Sequence, residues 1–406
     1  MTKEPQQDHE HTAIPYRPEH VAMAKELADE TRRNGGMAPV DIEQFWADDA
    51  LASKDPFNKD IPQPAFMGRL NHECVFAELG LEIDLYRYFH NEKFQLELNR
   101  AYNKKSREIV GKAWLREEPI PEADKVPGPK GLHDIFEAEN VWHDQSWWLQ
   151  QSATNEDELK ALLDRIDEKD IRKEILPDGW DKTLERAKEK GVDPPLYRSQ
   201  RGPVTFACSI YGPENLLMLL MTNPELGERL RDTILRVMQD IRRILNEEAG
   251  YDRLSAPRGF SFADDNCCLL TPELYEFFGA PILQGMFDYC APDPEDWRFQ
   301  HSDSDMAHLL PILSRFHLQR VNFGPTLTCK EIREAMPNTV ISGQLAPFTY
   351  MRNEHENIVL EFLRDHEMTK ATRGLHWATA GSVSNGTKLT SMRLAMAAIQ
   401  RYGRYE

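Results

Sequence analysis

The chain has 406 residues, 40% of them hydrophobic and 29% charged, and a formal net charge of −18. That apolar content supports a large core, and α/β barrels commonly reach about 250 residues or more as one unit. The acidic balance argues against non-specific affinity for nucleic acid or anionic lipid, whereas a local basic pocket could still serve a small-molecule substrate.

Residues up to about Pro62 are polar and mixed, with helices expected at Val21 to Arg33 and Asp41 to Leu51. They read as an N-terminal helical extension, 1–62, packed outside a barrel that takes up residues 63–406. Leu81, Leu85, Phe89, Phe94 and Leu98 recur at helical spacing within a helical stretch from Leu79 to Lys112. A charged, Pro-rich loop follows, from Glu117 to Pro129. Trp142, Trp147 and Trp148 then cluster, and aromatic residues at this density more often seal a core than line a flat ligand. Asn155 to Lys190 reads as charged helices.

After Pro194 short apolar runs alternate with amphipathic helices. The expected strands are Pro203 to Ile210 (PVTFACSI), Arg258 to Ala263 (RGFSFA), Trp297 to Gln300 (WRFQ), Gln319 to Phe323 (QRVNF), Thr339 to Ser342 (TVIS) and Gly374 to Thr379 (GLHWAT). Helix starts stand between them. Asn223–Pro224–Glu225 and Thr271–Pro272–Glu273 pair a capping side chain with an early Pro and acid, and Thr328 with Glu331 forms a capping box. Further helices are expected from about Glu354 to His366 and Leu389 to Tyr402. Six β–α units in a row predict a parallel sheet, and two more from the first half would complete a (β/α)8 TIM barrel. An open doubly wound sheet is the rival, but no G-x-G-x-x-G turn follows any strand.

A barrel places its chemistry where strands end and loops begin. Asp264, Asp265 and Asn266 follow RGFSFA; His301 and Asp303 follow WRFQ; Gln344 follows TVIS; Ser382 follows GLHWAT. His301 and Asp303, two apart on a strand end, share a face. They could hold a divalent metal with Asp264 or Asp265 as a further oxygen ligand, act as a general acid/base couple, or brace the rim. Of Asp264 and Asp265, one should face the site and the other the helices, and the sequence does not choose. The loop Gly381 to Thr387 (GSVSNGT) could bind an anion through backbone N–H groups, although an ordinary loop with turn glycines is the plainer reading. His308, His317 and the adjacent Cys267–Cys268 read as structural. The six cysteines form no C-x-x-C pair, residues Met1 to Glu19 hold no apolar signal core, and no run of about 18 apolar residues occurs. A reduced, cytoplasmic protein is the expectation.

From about Pro203 to Tyr405 the chain resembles the uroporphyrinogen decarboxylase superfamily. The matching pieces are GPVTFACSIYGPENLLMLLMTNPEL, SFADDN, LTPELYEFFGAPIL, QHSDSDMAHLLPIL, VNFGPTLTCKEIREAMPNTVISGQLAP and TAGSVSNGTKLTSMRLAM, in that order. The resemblance implies a (β/α) barrel. It also implies either cofactor-free decarboxylation of uroporphyrinogen or methyl transfer involving a corrinoid or a thiol, often with zinc. Departures from the family pattern narrow this. The arginine-rich segment of the decarboxylases is matched only by Pro64 to His72, which holds the single Arg69. Ser382 aligns with the histidine of the decarboxylases and with the later cysteine of the thiol methyltransferases. His301 and Asp303 stand where the latter have His-x-Cys. Replacing thiolate by carboxylate and hydroxyl hardens the site, toward oxygen-bound metals or plain acid/base work.

The resemblance therefore implies a methyltransferase or demethylase acting on a small oxygen-containing substrate, with a corrinoid protein as methyl carrier. His301 and Asp303 would bind a divalent metal, zinc or a harder ion. His301, Asp303, Asp264 and Asp265 would carry the chemistry, and Asn266, Asn322, Gln344, Ser382 and Arg69 would contact substrate. The alternatives are a decarboxylase of uroporphyrinogen or another acid, and a non-catalytic barrel that binds a tetrapyrrole or corrinoid. No nucleic-acid or membrane partner is expected, and the oligomeric state is not set by the sequence.

Overall fold

Short apolar runs bounded by Gly, Pro and polar turns become strands, and the longer amphipathic stretches become helices. The computed structural model describes residues 16–68, 70–383 and 385–405. In chain order the strands are β1 (Ala65–Phe66), β2 (Asn140–His143), β3 (Ser146–Leu149), β4 (Ser199–Arg201), β5 (Phe260–Ala263), β6 (Arg298–Ser302), β7 (Arg320–Phe323), β8 (Val340–Leu345) and β9 (Leu375–Thr379).

The chain divides into two units. One comprises Met1–Pro119, Asp303–Ala307 and Arg320–Glu406; the other comprises Ile120–Ser302 and His308–Gln319. In the first unit the strands run in the order β1-β9-β8-β7, all parallel, with Ala65 opposite His376, Ile341 opposite Leu375 and Arg320 opposite Val340. Every residue of β9 is buried, as are the last five of β8, the pattern of parallel strands covered on both faces. The closing helix Leu389–Tyr402 lies in this unit, where Arg401 pairs with Glu26 and Glu30 and the Arg393 Nε donates to the Ala38 carbonyl at 2.6 Å. Residues 16–62 are thus tied to the C-terminal helix.

In the second unit β6-β5-β4 are parallel, with Phe260 opposite Arg298 and Ser199 opposite Ser261. The long helix Pro224–Glu248 starts where the sequence indicates: the Asn223 side chain accepts from the Leu226 N–H and Pro224 opens the first turn. Its buried face carries Leu226, Leu230, Ile234, Met238, Ile241 and Leu245, the predicted stripe. The capping box at Thr328 and Glu331 also forms.

Four expectations are corrected. PVTFACSI is a helix, Pro203–Tyr211, and the strand stands just before it at Ser199–Arg201. A short, mostly apolar run is hard to assign to strand or helix by periodicity, and Pro203 at the first turn, with Thr205 and Ser209 four apart on the one half-exposed face, fits the helix. Leu79 to Lys112 is not one helical stretch: Gly80, in the left-handed region at φ 69°, ends Glu73–Leu79, and the Asp84 and Asn91 side chains cap new helices at Leu85–His90 and Glu92–Val110. Leu81 and Phe89 consequently lie exposed. The tryptophans do not seal a core, since Trp147 and Trp148 are 47% and 57% exposed on the antiparallel β2–β3 hairpin. Its two-residue turn, Asp144 and Gln145 at φ 52° and 63°, has the left-handed geometry that matches strand twist. Lastly, strands run further than predicted, so that His301 lies within β6 and Gln344 within β8.

Among the described residues seven strands pair in parallel, four in one unit and three in the other. The α/β class with parallel strands is therefore present. No single described helix is long and apolar enough to cross a membrane.

Candidate active site

In the second unit β5 and β6 are in register with Ala263 opposite His301, and the Asp264 N–H extends the ladder to the His301 carbonyl at 2.9 Å. The chain then tightens into a 3-10 turn, Asp265–Leu269, which brings the Asp265 side chain back over β6. Asp265 Oδ1 stands 3.6 Å from His301 Nε2. That is longer than a hydrogen bond, so the pair is an electrostatic couple when the ring is protonated. It also suits two donors of one divalent ion, because metal bonds of about 2.0–2.2 Å to imidazole and carboxylate place the donor atoms roughly 3–4 Å apart. Asp265 is 39% exposed and His301 14%, which leaves the couple accessible.

The adjacent carboxylate has a different task. Asp264 is fully buried, its Oδ1 accepts from the Thr205 N–H at 2.7 Å at the start of helix Pro203–Tyr211, and its Oδ2 has no partner. Gly202 makes room, since a β-carbon there would lie 2.0 Å from that of Asp264. Burial pushes the Asp264 carboxyl up to about 6 against the opposing pull of the Thr205 N–H. A raised native value means that the unfolded chain loses this proton first as pH rises. Asp264 therefore contributes stability below about pH 4 that is lost as pH climbs toward 6, by about 3 kcal/mol at most. Asp264→Asn keeps an acceptor for Thr205 and cannot ionise. Urea unfolding should show the parent losing stability relative to this variant between pH 4 and 7. A constant difference across that range would mean that Asp264 is ionised throughout.

Asn266 is half-buried beside Thr205, whose Oγ1 accepts its backbone N–H at 2.9 Å. Cys267 is buried with Sγ 3.8 Å from Ser302 Oγ, and His308 Nε2 lies 2.9 Å from the Leu270 carbonyl, both as structural residues.

In the first unit, Asn322 is buried and donates to the carbonyls of Ser342 and Thr379, which ties β7 to the middle of β8 and the end of β9. Gln344 is buried and donates to the Gly324 and Leu327 carbonyls at 3.0 and 2.8 Å, while its Oε1 has no partner. Asp303 packs tightly here. Its backbone carbonyl comes within 2.5 Å of where a β-carbon on Gly324 would sit, and its Cβ within 2.7 Å for Gly381. Ser382 is half-buried in the loop after β9. That loop has the plainer form: Gly381 and Gly386 take φ of 102° and 100°, and the Asn353 amide binds the Gly386 carbonyl. Arg69 lies outside the described residues.

No family model matches the chain, and no curated protein matches it by sequence. Among solved structures, a methyltransferase from Methanosarcina mazei is similar at a TM-score of 0.48 and 14% identity, over 83% of this chain and 99% of that one.

One ionisable cluster escaped the sequence reading. Glu361, Arg364 and Asp365 are all buried on helix His355–Thr369. The Arg364 Nε donates to Asp365 Oδ1 at 2.8 Å and its Nη2 to the Gln344 carbonyl at 3.2 Å, while the Trp377 indole donates to Asp365 Oδ2 at 3.0 Å. The only signal was an E-x-x-R-D string in a helix with too many apolar residues for one stripe.

Proposed function

We propose that the chain is a small-molecule enzyme on a closed (β/α)8 barrel, transferring a methyl group from or to an oxygen, with Asp265 and His301 as its working couple. The observation that carries this reading is the couple itself, an imidazole and a carboxylate at the C-terminal ends of adjacent parallel strands, where barrels keep their chemistry. The sequence resemblance supplies the reaction class.

In demethylation the methyl group leaves the substrate oxygen without the bonding electron pair, and that oxygen then needs a proton. His301 is placed to donate it, with Asp265 holding the imidazolium. Alternatively the two hold a divalent ion that polarises the oxygen, with Asp303, two residues beyond His301, as a further oxygen ligand. An oxygen-and-nitrogen donor set fits zinc or a harder ion. Asn266 and Ser382, both half-buried, are the proposed substrate contacts, joined by Arg69. Asn322 and Gln344 spend their N–H groups on backbone carbonyls and would shape the site. A corrinoid on a separate protein would supply the methyl-accepting nucleophile. No disulfide joins the cysteines, which fits a reducing cytoplasm.

The test is incubation of the full chain with reduced cobalamin, added zinc or manganese, and a panel of methoxylated acids and phenols, with methylated cobalamin followed optically. Methyl transfer from at least one member is expected. Absence of transfer across the panel, with carbon dioxide released from a matching panel of carboxylic acids, would establish a decarboxylase instead.

A further inference from the structure

A cleft of 460 Å³ lies wholly within the first unit, beside the N-terminal end of β9. Lys370, Arg373 and Arg404 line it against one carboxylate, Glu367, in a chain of net charge −18. Lys370 is paired with Glu367 at 2.7 Å, and Arg404 with Asp48. Arg373 has no ion-pair partner among the described residues. Its guanidinium is stacked 3.4 Å over the Tyr405 ring, and one nitrogen reaches the Lys59 carbonyl at 3.4 Å. Arg373 is also held in the left-handed region at φ 61°, an unusual conformation for a long side chain.

Among the described residues His366 Nδ1 has no hydrogen-bond partner, and the buried Arg373 Nη1 and Tyr405 Oη find none outside the contact between those two side chains. His366 is only 7% exposed, so its orphaned nitrogen is costly unless something enters to meet it. All three can donate to an oxyanion: a guanidinium N–H, a phenol O–H and the Nδ1–H of one neutral imidazole tautomer. Burial, with Lys370 nearby, lowers His366 to about 4, which keeps the ring neutral near pH 7. A water takes up about 30 Å³, so the cleft holds more than a bare tetrahedral anion. His20, Met23 and Leu363 offer partly apolar walls for the remainder of a ligand.

We propose that this cleft binds a small phosphate-bearing molecule, its anion held by Arg373, Tyr405 and His366. The site is separate from the Asp265–His301 couple, which belongs to the other unit, and does not depend on what that couple does.

The experiment is calorimetric titration of the full chain with inorganic phosphate, glycerol phosphate and succinate, for the parent, Tyr405→Phe, Arg373→Lys and His301→Ala. Saturable binding of glycerol phosphate or phosphate is expected, with succinate weaker. Tighter glycerol phosphate marks an ester as the ligand, and tighter inorganic phosphate the free anion. Tyr405→Phe should weaken binding roughly tenfold or more, as loss of a hydrogen bond to a charged group does. It should leave the urea midpoint nearly unchanged, because the hydroxyl meets only the Arg373 side chain, which keeps its place over the ring and its bond to the Lys59 carbonyl. Arg373→Lys should also weaken binding, and His301→Ala should not. No saturable heat in the parent, succinate binding as tight as phosphate, or Tyr405→Phe binding like the parent would each overturn the assignment.

Discussion

His301→Ala should fold and melt within a few degrees of the parent, and should lose turnover by about 10²–10⁴-fold, the usual contribution of a general acid or base. The two halves of this prediction rest on different links. His301 is the penultimate residue of β6, where the ladder bonds are made by backbone atoms, including the Asp264 N–H to the His301 carbonyl, and these survive the substitution. The ring's nearest charged neighbour in the same unit, Asp265, is partly exposed and returns to water when the ring is removed. Asp265→Asn should give a smaller loss, because it removes the charge that orients the imidazole while keeping the ring. If His301→Ala unfolds, or if it folds and turns over normally, the residue braces the strand and the couple is not the site.

Arg364→Ala should be the most destabilising of the substitutions considered, by about 3–5 kcal/mol, as expected when one partner of a buried ionic cluster is removed. The guanidinium lies between Asp365, at 2.8 Å, and Glu361, at 4.0 Å, and both carboxylates are essentially sealed from water. Without it Asp365 keeps the Trp377 indole, while Glu361 keeps the Ala346 N–H and the Thr349 hydroxyl, among the described residues. Burial already pushes Glu361 up to about 7, with Arg364 opposing, so losing Arg364 pushes it higher. A raised native value gives stability that is present at low pH and lost as pH rises. The deficit of Arg364→Ala should therefore be smaller at pH 5 than at pH 8. Urea unfolding at the two values checks this. A deficit below about 1 kcal/mol at pH 8, or one that shrinks as pH rises, would show that the cluster is hydrated or differently paired.

The second half of the chain was legible because its local signals agree. The caps at Asn223, Thr271 and Thr328 start helices where they stand, and the runs around Phe260, Val321 and Trp377 are strands. PVTFACSI misled because a short, mostly apolar run is ambiguous between strand and helix; Pro203, and the polar Thr205 and Ser209 four apart on its one half-exposed face, are what mark a helix. The tryptophans misled because composition does not show exposure, and the turn at Asp144 and Gln145 lacks the glycine that marks such hairpins. At the candidate site, the strand-end rule found Asp264, Asp265 and His301 without ranking them. The 3-10 turn that follows β5 is what separates the two aspartates, turning Asp265 toward His301 while Asp264 caps a helix from a distant part of the sequence. Gln344 was expected to contact substrate on the same rule, and Asn322 from the family resemblance; their N–H groups bind carbonyls of neighbouring strands and loops, a pairing that only the fold reveals. Arg373, Tyr405 and His366 are far apart in pattern and unremarkable as types, so nothing in the sequence pointed to their cleft.

The most direct test of the Asp265–His301 couple needs no substrate. Cobalt(II) is titrated into the metal-stripped full chain, and its visible absorption is followed in the parent, His301→Ala and Asp265→Asn. The account predicts saturation at one equivalent in the parent, with bands that report nitrogen and oxygen ligands, and loss of most of that signal in both variants. Equal spectra in all three proteins, or a parent that binds no cobalt and whose turnover is independent of pH near neutrality, would contradict it.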